Sequence, residues 1–362
     1  MKNTFGNHVS VTLFGESHGP SIGVVIDGLT PGLPVDEAVV AAMLSRRRPC
    51  GGISTARNEK DAFVIESGVF NGKTTGTPIC IRIPNVDIQS ADYDAQNRLA
   101  RPGHADLAAH CKYHGYEDYR GGGHFSGRIT AALVVAAGIV IPALEKKGIY
   151  IGTHIAAIGD VKDRSFENLV DDIAAVHTDF PVLDESAKAS MTECILAAKA
   201  DGDSVGGVLE TAVIGMPAGV GEPWFDTVES MLAHALFSVP SIKGVEFGDG
   251  FGMAAMHGSE ANDVWRTDGT PYTETNHNGG INGGITNGMP VLFRCAVKPT
   301  PTIAKEQTTV SLTTGLEGTL AAKGRHDPCI VHRAAVVVDA VTALVLCDML
   351  TGRYGTDWLG EV

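Results

Sequence analysis

The chain has 362 residues, 44% hydrophobic and 19% charged, which is enough to bury a sizeable core as one large domain or two intimately packed ones. Its 28 basic and 42 acidic residues leave a formal net charge of −14, which argues against nucleic acid or an anionic membrane as the main partner, since both attract a basic face. A small anion is not excluded, because a local arginine cluster can reverse the potential inside one cleft.

In chain order, residues 9–14 predict a strand, followed by a polar turn at 15–19 and a second strand at 22–26. Asp36 and Glu37 precede an Ala/Val/Met/Leu run, so a helix is expected over 35–46. Residues 46–58 are arginine- and glycine-rich and predict a loop. Strands over 62–70 and 78–83 flank the Asn71-Gly72 turn signal. Residues 85–128 are polar, rich in Gly, His and Tyr, and show little apolar periodicity, which at this length marks a functional segment rather than a connector. A helix over 129–147 follows. In the second half, helices are expected over 166–176, 185–200, 227–237 and 334–350. Strands are expected over 206–215, 242–251 and 291–297, with a glycine-rich loop at 276–288. The apolar runs 131–144 and 334–350 predict buried helices: the first is short of the ~20 residues that span a bilayer, and Asp339 and Asp348 interrupt the second. Strands and helices mix without strict alternation, so the expected class is α+β, antiparallel sheets packed on helices, over a single domain 1–362.

Seven cysteines form no Cys-x-x-Cys pair, and no apolar stretch follows Met1-Lys2-Asn3-Thr4. Reduced thiols and a cytoplasmic location are expected. The 44 glycines exceed the usual ~7% and cluster beside His, Arg and Ser. Six such clusters could carry chemistry. Gly15-Glu16-Ser17-His18-Gly19-Pro20 places a histidine, able to exchange a proton near neutral pH, in a tight turn after a strand. Arg46-Arg47-Arg48-Pro49, with Arg57, either complements a helix dipole or grips a phosphate or carboxylate. Arg101-Pro102-Gly103-His104-Ala105-Asp106 sets an anion grip beside a proton donor. His110 and His114, four residues apart, leave a zinc site open as the competing use of His104. Arg120-Gly121-Gly122-Gly123-His124-Phe125-Ser126-Gly127-Arg128 opens a helix as an anion cradle, without the spacing of a P-loop or a dinucleotide fingerprint. Gly279 to Ile285, then Lys298-Pro299-Thr300-Pro301-Thr302, combine a flat glycine wall for a planar ring with a phosphate grip. Gly324-Arg325-His326-Asp327-Pro328 puts an aspartate beside an arginine and a histidine before the last helix.

These motifs, with Asp27-Gly28, Pro31-Gly32, Lys243 to Phe251 and Asn-Gly-Gly-Ile, stand in one order from about residue 4 to about residue 350, and the chain resembles the chorismate synthase family. The resemblance implies a sandwich of helices between antiparallel sheets, usually a homotetramer. It implies a 1,4-anti elimination of phosphate from 5-enolpyruvylshikimate 3-phosphate, dependent on reduced FMN without net redox. By the same resemblance, His104 is the acid at the phosphate, His18 lies near the flavin, and Asp327 assists proton removal at C6. Ser17, Arg46, Arg47, Arg48, Arg57, Arg101, Arg128 and Arg325 would hold substrate. His124, Phe125, Ser126, Pro240, Ser241, Gly283, Lys298, Pro299, Thr300, Pro301, Thr302 and Arg325 would hold the flavin. No metal is implied. Two departures stand out: His124-Phe125-Ser126-Gly127-Arg128-Ile129 replaces an Arg-Ser-Ser-Ala-Arg-Glu pattern, and Cys50-Gly51-Gly52-Ile53 lacks a following arginine unless Arg57 serves. The second falls where reduction of the flavin by NADP(H) would be served, so externally reduced FMN is the expectation. A flavin- or phosphate-binding protein without catalysis and a zinc hydrolase on His104, His110 and His114 remain the alternatives.

Overall fold

A computed structural model describes residues 2–49, 51–54, 61–86, 98–321 and 327–360. Two five-stranded antiparallel sheets form its outer layers. The first runs Thr4–Phe5, Ser10–Gly15, Ser21–Asp27, Ile79–Pro84, Val64–Ile65. Ile22, Val24 and Ile26 share one face of one strand, and Ile79, Ile81 and Ile83 alternate with less buried neighbours on the next. The period of two therefore delivers one apolar face to the core. The second sheet runs Ile242–Phe247, Val291–Val297, Gly207–Ile214, Tyr150–Ile158, Val161–Lys162.

Between them lie the long helices. Helix α1 (Glu37–Arg46) starts where the Asp36 carboxylate accepts from the Ala38 amide at 2.8 Å. The next helix, α2 (Asp106–Tyr113), interrupts the long polar segment. Helix α3 (Thr130–Lys146) packs on the first sheet and on α1, where Gly138 leaves room for Val40: a Cβ there would stand 2.8 Å from Val40 Cγ2. Helices α4 (Leu169–Ala175), α5 (Glu185–Ala200), α6 (Val228–Leu236) and the short α7 (Gly258–Ala261) follow. The last, α8 (Val331–Tyr354), packs on α3, on α6 and on the second sheet. Both α3 and α8 are apolar on all sides because each is enclosed: 78% and 89% of their apolar windows are buried in the fold. Each fully buried Val, Leu or Ile there contributes about 1.5–3 kcal/mol. The Asp348 carboxylate on α8 accepts the amides of Asn7, His8 and Val9, at 2.6–3.0 Å, and ties the first loop to the core helix. The expected α+β class, helices between antiparallel sheets, is what the chain adopts.

Several elements differ from the sequence reading. The strand over 62–70 is split into Val64–Ile65 and Val69–Phe70 by a turn at Gly68, whose φ is 79°. The strand over 242–251 stops at Phe247 and a 3-10 turn, Gly250–Ala255, takes over. Helix α2 went unread because it buries only Ala109 and so carries no apolar stripe. The expected loop 276–288 contains a hairpin, Ile281–Asn282 with Ile285–Thr286, turned by Gly283 and Gly284 at φ of 61° and 87°, the left-handed pair such two-residue turns require.

Candidate active site

The loops at one end of this sandwich enclose a cleft of about 850 Å³, toward the upper end of the ~300–1,000 Å³ usual for small-molecule sites. Arg47, Arg48, Arg128, Lys243, Lys298 and Arg333 line it, against two carboxylates, Asp61 and Asp327. An acidic chain thus keeps a cationic pocket, as the arginine clusters led us to expect.

One turn of three consecutive glycines stands behind one wall. Gly121, Gly122 and Gly123 all hold positive φ, at 59°, 85° and 53°. A Cβ on Gly121 would stand 2.1 Å from the His18 ring, and one on Gly122 would stand 3.0 Å from His104 Cε1. The bare backbone therefore lies between the two histidines. Gly123 accepts the Ser17 amide at 3.1 Å, and His124 Nδ1 donates to the Gly15 carbonyl at 2.7 Å, which makes Nδ1 the protonated nitrogen of that ring. His104 lines the cleft; its Nδ1 lies 2.9 Å from Asp106 Oδ1. Arg101 grips the same carboxylate through Nε and one terminal nitrogen, each at 2.8 Å, and through its backbone amide at 3.0 Å. Burial pushes the Asp106 carboxyl up, but the hydrogen bonds from Arg101 and His104 outweigh it and hold it far below the usual carboxylate range. The opposite wall joins at Gly103, whose carbonyl accepts Lys298 Nζ at 2.6 Å.

Beneath the cleft, Asp61 Oδ2 accepts from Arg47 at 3.1 Å and Oδ1 accepts from Arg128. Burial works to raise the Asp61 carboxyl, and the two guanidiniums together hold it down. Burial also pushes the Arg47 guanidinium down to about 10, which leaves it charged at neutral pH. Arg128 Nε donates to Asn85 Oδ1 at 3.2 Å, and the Asn85 amide donates to the Glu16 and Gly19 carbonyls that flank His18. Arg333 donates to Asp327 at 2.6 Å and to the Arg47 carbonyl at 2.8 Å.

Among the residues singled out in the sequence, His104, Asp327, Arg47, Arg48, Arg128, His124, Phe125, Ser126, Pro240, Ser241, Lys298, Thr300, Pro301 and Thr302 line this one cleft. His18 and Ser17 lie behind the glycine turn, buried at 8% and 0% exposure, rather than on the surface of the pocket. Others do different work. Arg46 pairs with Asp339 of α8 at 3.0 Å, because its place on the last turn of α1 faces the helix layer. Arg101 is committed to Asp106 and supports His104 from behind. Gly283 is a hairpin turn and Pro299 stands outside the lining. Arg57 and Arg325 lie outside the described residues. The histidines of the zinc alternative do not converge: His110 lies 3.4 Å from Glu117, and His114 ends α2 in a left-handed cap. Among the described residues no three His, Cys, Asp or Glu side chains could hold a metal ion.

Sequence reasoning missed Asp61, Lys243, Phe237 and Arg333, all of them lining residues. Asp61 sits at a segment read as a strand boundary and Arg333 in the first turn of a helix, where neither spacing nor composition marked them; Lys243 opens the Lys243 to Phe251 motif but was given no site role.

A family model described as "Chorismate synthase" matches residues 9–351. The chain belongs to the chorismate synthase family. It is 46% identical over 349 residues to the chorismate synthase of Pyrococcus abyssi (strain GE5 / Orsay), covering 96% of this chain and 97% of that one. It is 47% identical over 352 residues to that of Methanocella arvoryzae (strain DSM 22066 / NBRC 105507 / MRE50), covering 96% and 94%. A solved structure titled "Crystal Structure of Chorismate Synthase" superposes with a TM-score of 0.77 at 29% identity, covering 98% of this chain and 95% of that one. The activity is therefore that of a carbon–oxygen lyase of the shikimate pathway, which supplies aromatic biosynthesis.

Proposed function

We propose that the cleft binds 5-enolpyruvylshikimate 3-phosphate together with reduced FMN, and that its residues act as proton donor, proton acceptor and anion grip. The observation that carries this reading is the convergence of six cationic side chains on His104 and Asp327 inside an otherwise acidic chain. Arg47, Arg48 and Arg128 would meet phosphate and carboxylates through forked hydrogen bonds. With Nδ1 directed at Asp106, His104 would use Nε2 to protonate the phosphate oxygen as the C–O bond breaks. Asp327, oriented by Arg333, would take the C6 proton; the C–H electrons would form a double bond to C1, the ring π pair would shift one bond along, and the C–O pair would leave with the phosphate. His18, behind Gly121, would act from the flavin side.

The residues present fit a flavin. Thr300 Oγ1 is buried without a hydrogen-bond partner among the described residues, beside Lys298 and Thr302. Phe125 and Phe237 expose apolar rings to the cleft, at 37% and 53% exposure. Lys298, Thr300 and Thr302 would hold the phosphate end, while His124, Phe125, Ser126, Pro240 and Ser241 would bound the ring. When bound, reduced FMN supplies electron density that eases departure of the allylic phosphate. We place the enzyme in a homotetramer, as the family resemblance implies; Trp224, Phe225, Phe251 and Trp265 are exposed aromatics that a second copy would cover. We place the enzyme in the cytoplasm, as its free cysteines suit.

The test is anaerobic incubation with the substrate and photoreduced FMN, with phosphate release followed in time. His104→Ala is expected to keep flavin binding and to lose about 10²-fold or more in turnover. Wild-type turnover in that variant would remove His104 from the acid role.

A further inference from the structure

The polar contacts under the cleft meet at one carboxylate. Arg333 joins Asp327 to the Arg47 backbone, Arg47 joins Asp61, Asp61 joins Arg128, and Arg128 joins Asn85 and through it the turn that carries His18. Asp61 is the only acidic member of the central trio. Its side chain is 1% exposed, against 8% for Arg47 and 3% for Arg128. Its φ of 49° lies in the left-handed region, which aspartate tolerates better than most residues. Within this trio the carboxylate offsets one of the two guanidinium charges, a compensation that the arginines alone would lack.

We infer that Asp61 is a positioning residue for phosphate-ester chemistry in this cleft: it orients Arg47 and Arg128 and restrains their hold on phosphate, so that the anion is bound in register and released after the C–O bond breaks. The inference rests on the reading of the cleft as the substrate site. A carboxylate shared by two arginines costs affinity for anions, because it competes for the same hydrogens. In return, each guanidinium keeps one orientation before substrate arrives.

The two effects separate by substitution. Asp61→Asn keeps the shape and removes the charge. Turnover is expected to fall at least tenfold while inorganic phosphate binds about tenfold more tightly, the effect of one added charge roughly 10 Å away at an effective dielectric near 20. Asp61→Glu keeps the charge and moves it by a methylene. Turnover should again fall, with phosphate affinity within about twofold of the parent. Phosphate binding is read by calorimetry on the protein without flavin or turnover, so a failure of the flavin reading leaves that arm intact. A merely structural role predicts phosphate affinity that is unchanged or weakened in step with thermal stability, and either result in Asp61→Asn overturns the inference. If Asp61→Asn does not fold, wild-type turnover in Asp61→Glu overturns it. Failure of both variants to fold assigns Asp61 to folding alone and overturns it as well.

Discussion

Replacing Asp106 by Asn isolates what the carboxylate behind His104 does, because the side chain keeps its shape and loses its charge. In the enzyme that carboxylate accepts four bonds: three from Arg101, at 2.8, 2.8 and 3.0 Å, and one from His104 Nδ1 at 2.9 Å. A hydrogen bond to a charged group contributes about 1.5–3 kcal/mol, roughly twice a neutral one. Loss of the bond that sets the His104 tautomer should cost about that much in the transition state, or about 10–100-fold in kcat. The proposed flavin and substrate grips lie elsewhere, so KM should change little. Stability gives a second signature. The folded state holds the Asp106 carboxyl well below its ordinary value. It therefore contributes stability that is present above the unfolded pKa, about 4, and is lost as pH falls through the folded value. The Asn variant should thus be less stable than the parent at neutral pH, with the gap closing in acid. Anaerobic phosphate-release kinetics and thermal unfolding at pH 7 and pH 3 make the measurement. Parent-like kcat in a folded Asp106→Asn enzyme would refute the idea that His104 needs this partner.

Other consequences follow from the same geometry. Gly121→Ala puts a Cβ 2.1 Å from the His18 ring at a φ of 59°, so it should lower the thermal midpoint by the equivalent of about 1–3 kcal/mol and impair turnover. Parent-like values for both would show that the turn is free to move. Arg46→Ala should leave KM for substrate unchanged and destabilise the fold by about 3–5 kcal/mol, because it strands the Asp339 carboxylate, 1% exposed, without its cation. A raised KM with intact stability would return Arg46 to the substrate. His332 is buried against Phe180 and bonded to Ser54 at 2.9 Å, and burial pushes its imidazole down to about 4. The unfolded chain takes up that proton below its ordinary value near 6.5, so the contribution of His332 is lost as pH falls from about 6.5 to 4, by about 2–3 kcal/mol. His332→Gln should flatten that part of the stability–pH curve in denaturant titrations, and an unchanged slope would place the acid sensitivity elsewhere.

Much of this molecule is written in local pattern. Alternating Ile and Val place the Ser21–Asp27 and Ile79–Pro84 strands, and uninterrupted apolar runs announce α3 and α8, since a helix apolar on every side must be enclosed. The histidine, arginine and glycine motifs likewise drew together residues far apart in the chain: Arg47 and Asp327, read as parts of one site, line one cleft. That much is legible because residue type and spacing are properties of the chain itself. Which side chain faces the ligand is not. Arg46 and Arg47 are adjacent and chemically identical, yet the rotation at the end of α1 sends one to Asp339 and the other to the cleft. Arg101 turns to Asp106, Gly283 turns a hairpin, and Asp61 becomes the shared partner of two arginines distant in sequence. A charge takes its partner from whatever lies within a few ångströms after folding, and that distance is decided by how sheets and helices pack, not by neighbours along the chain.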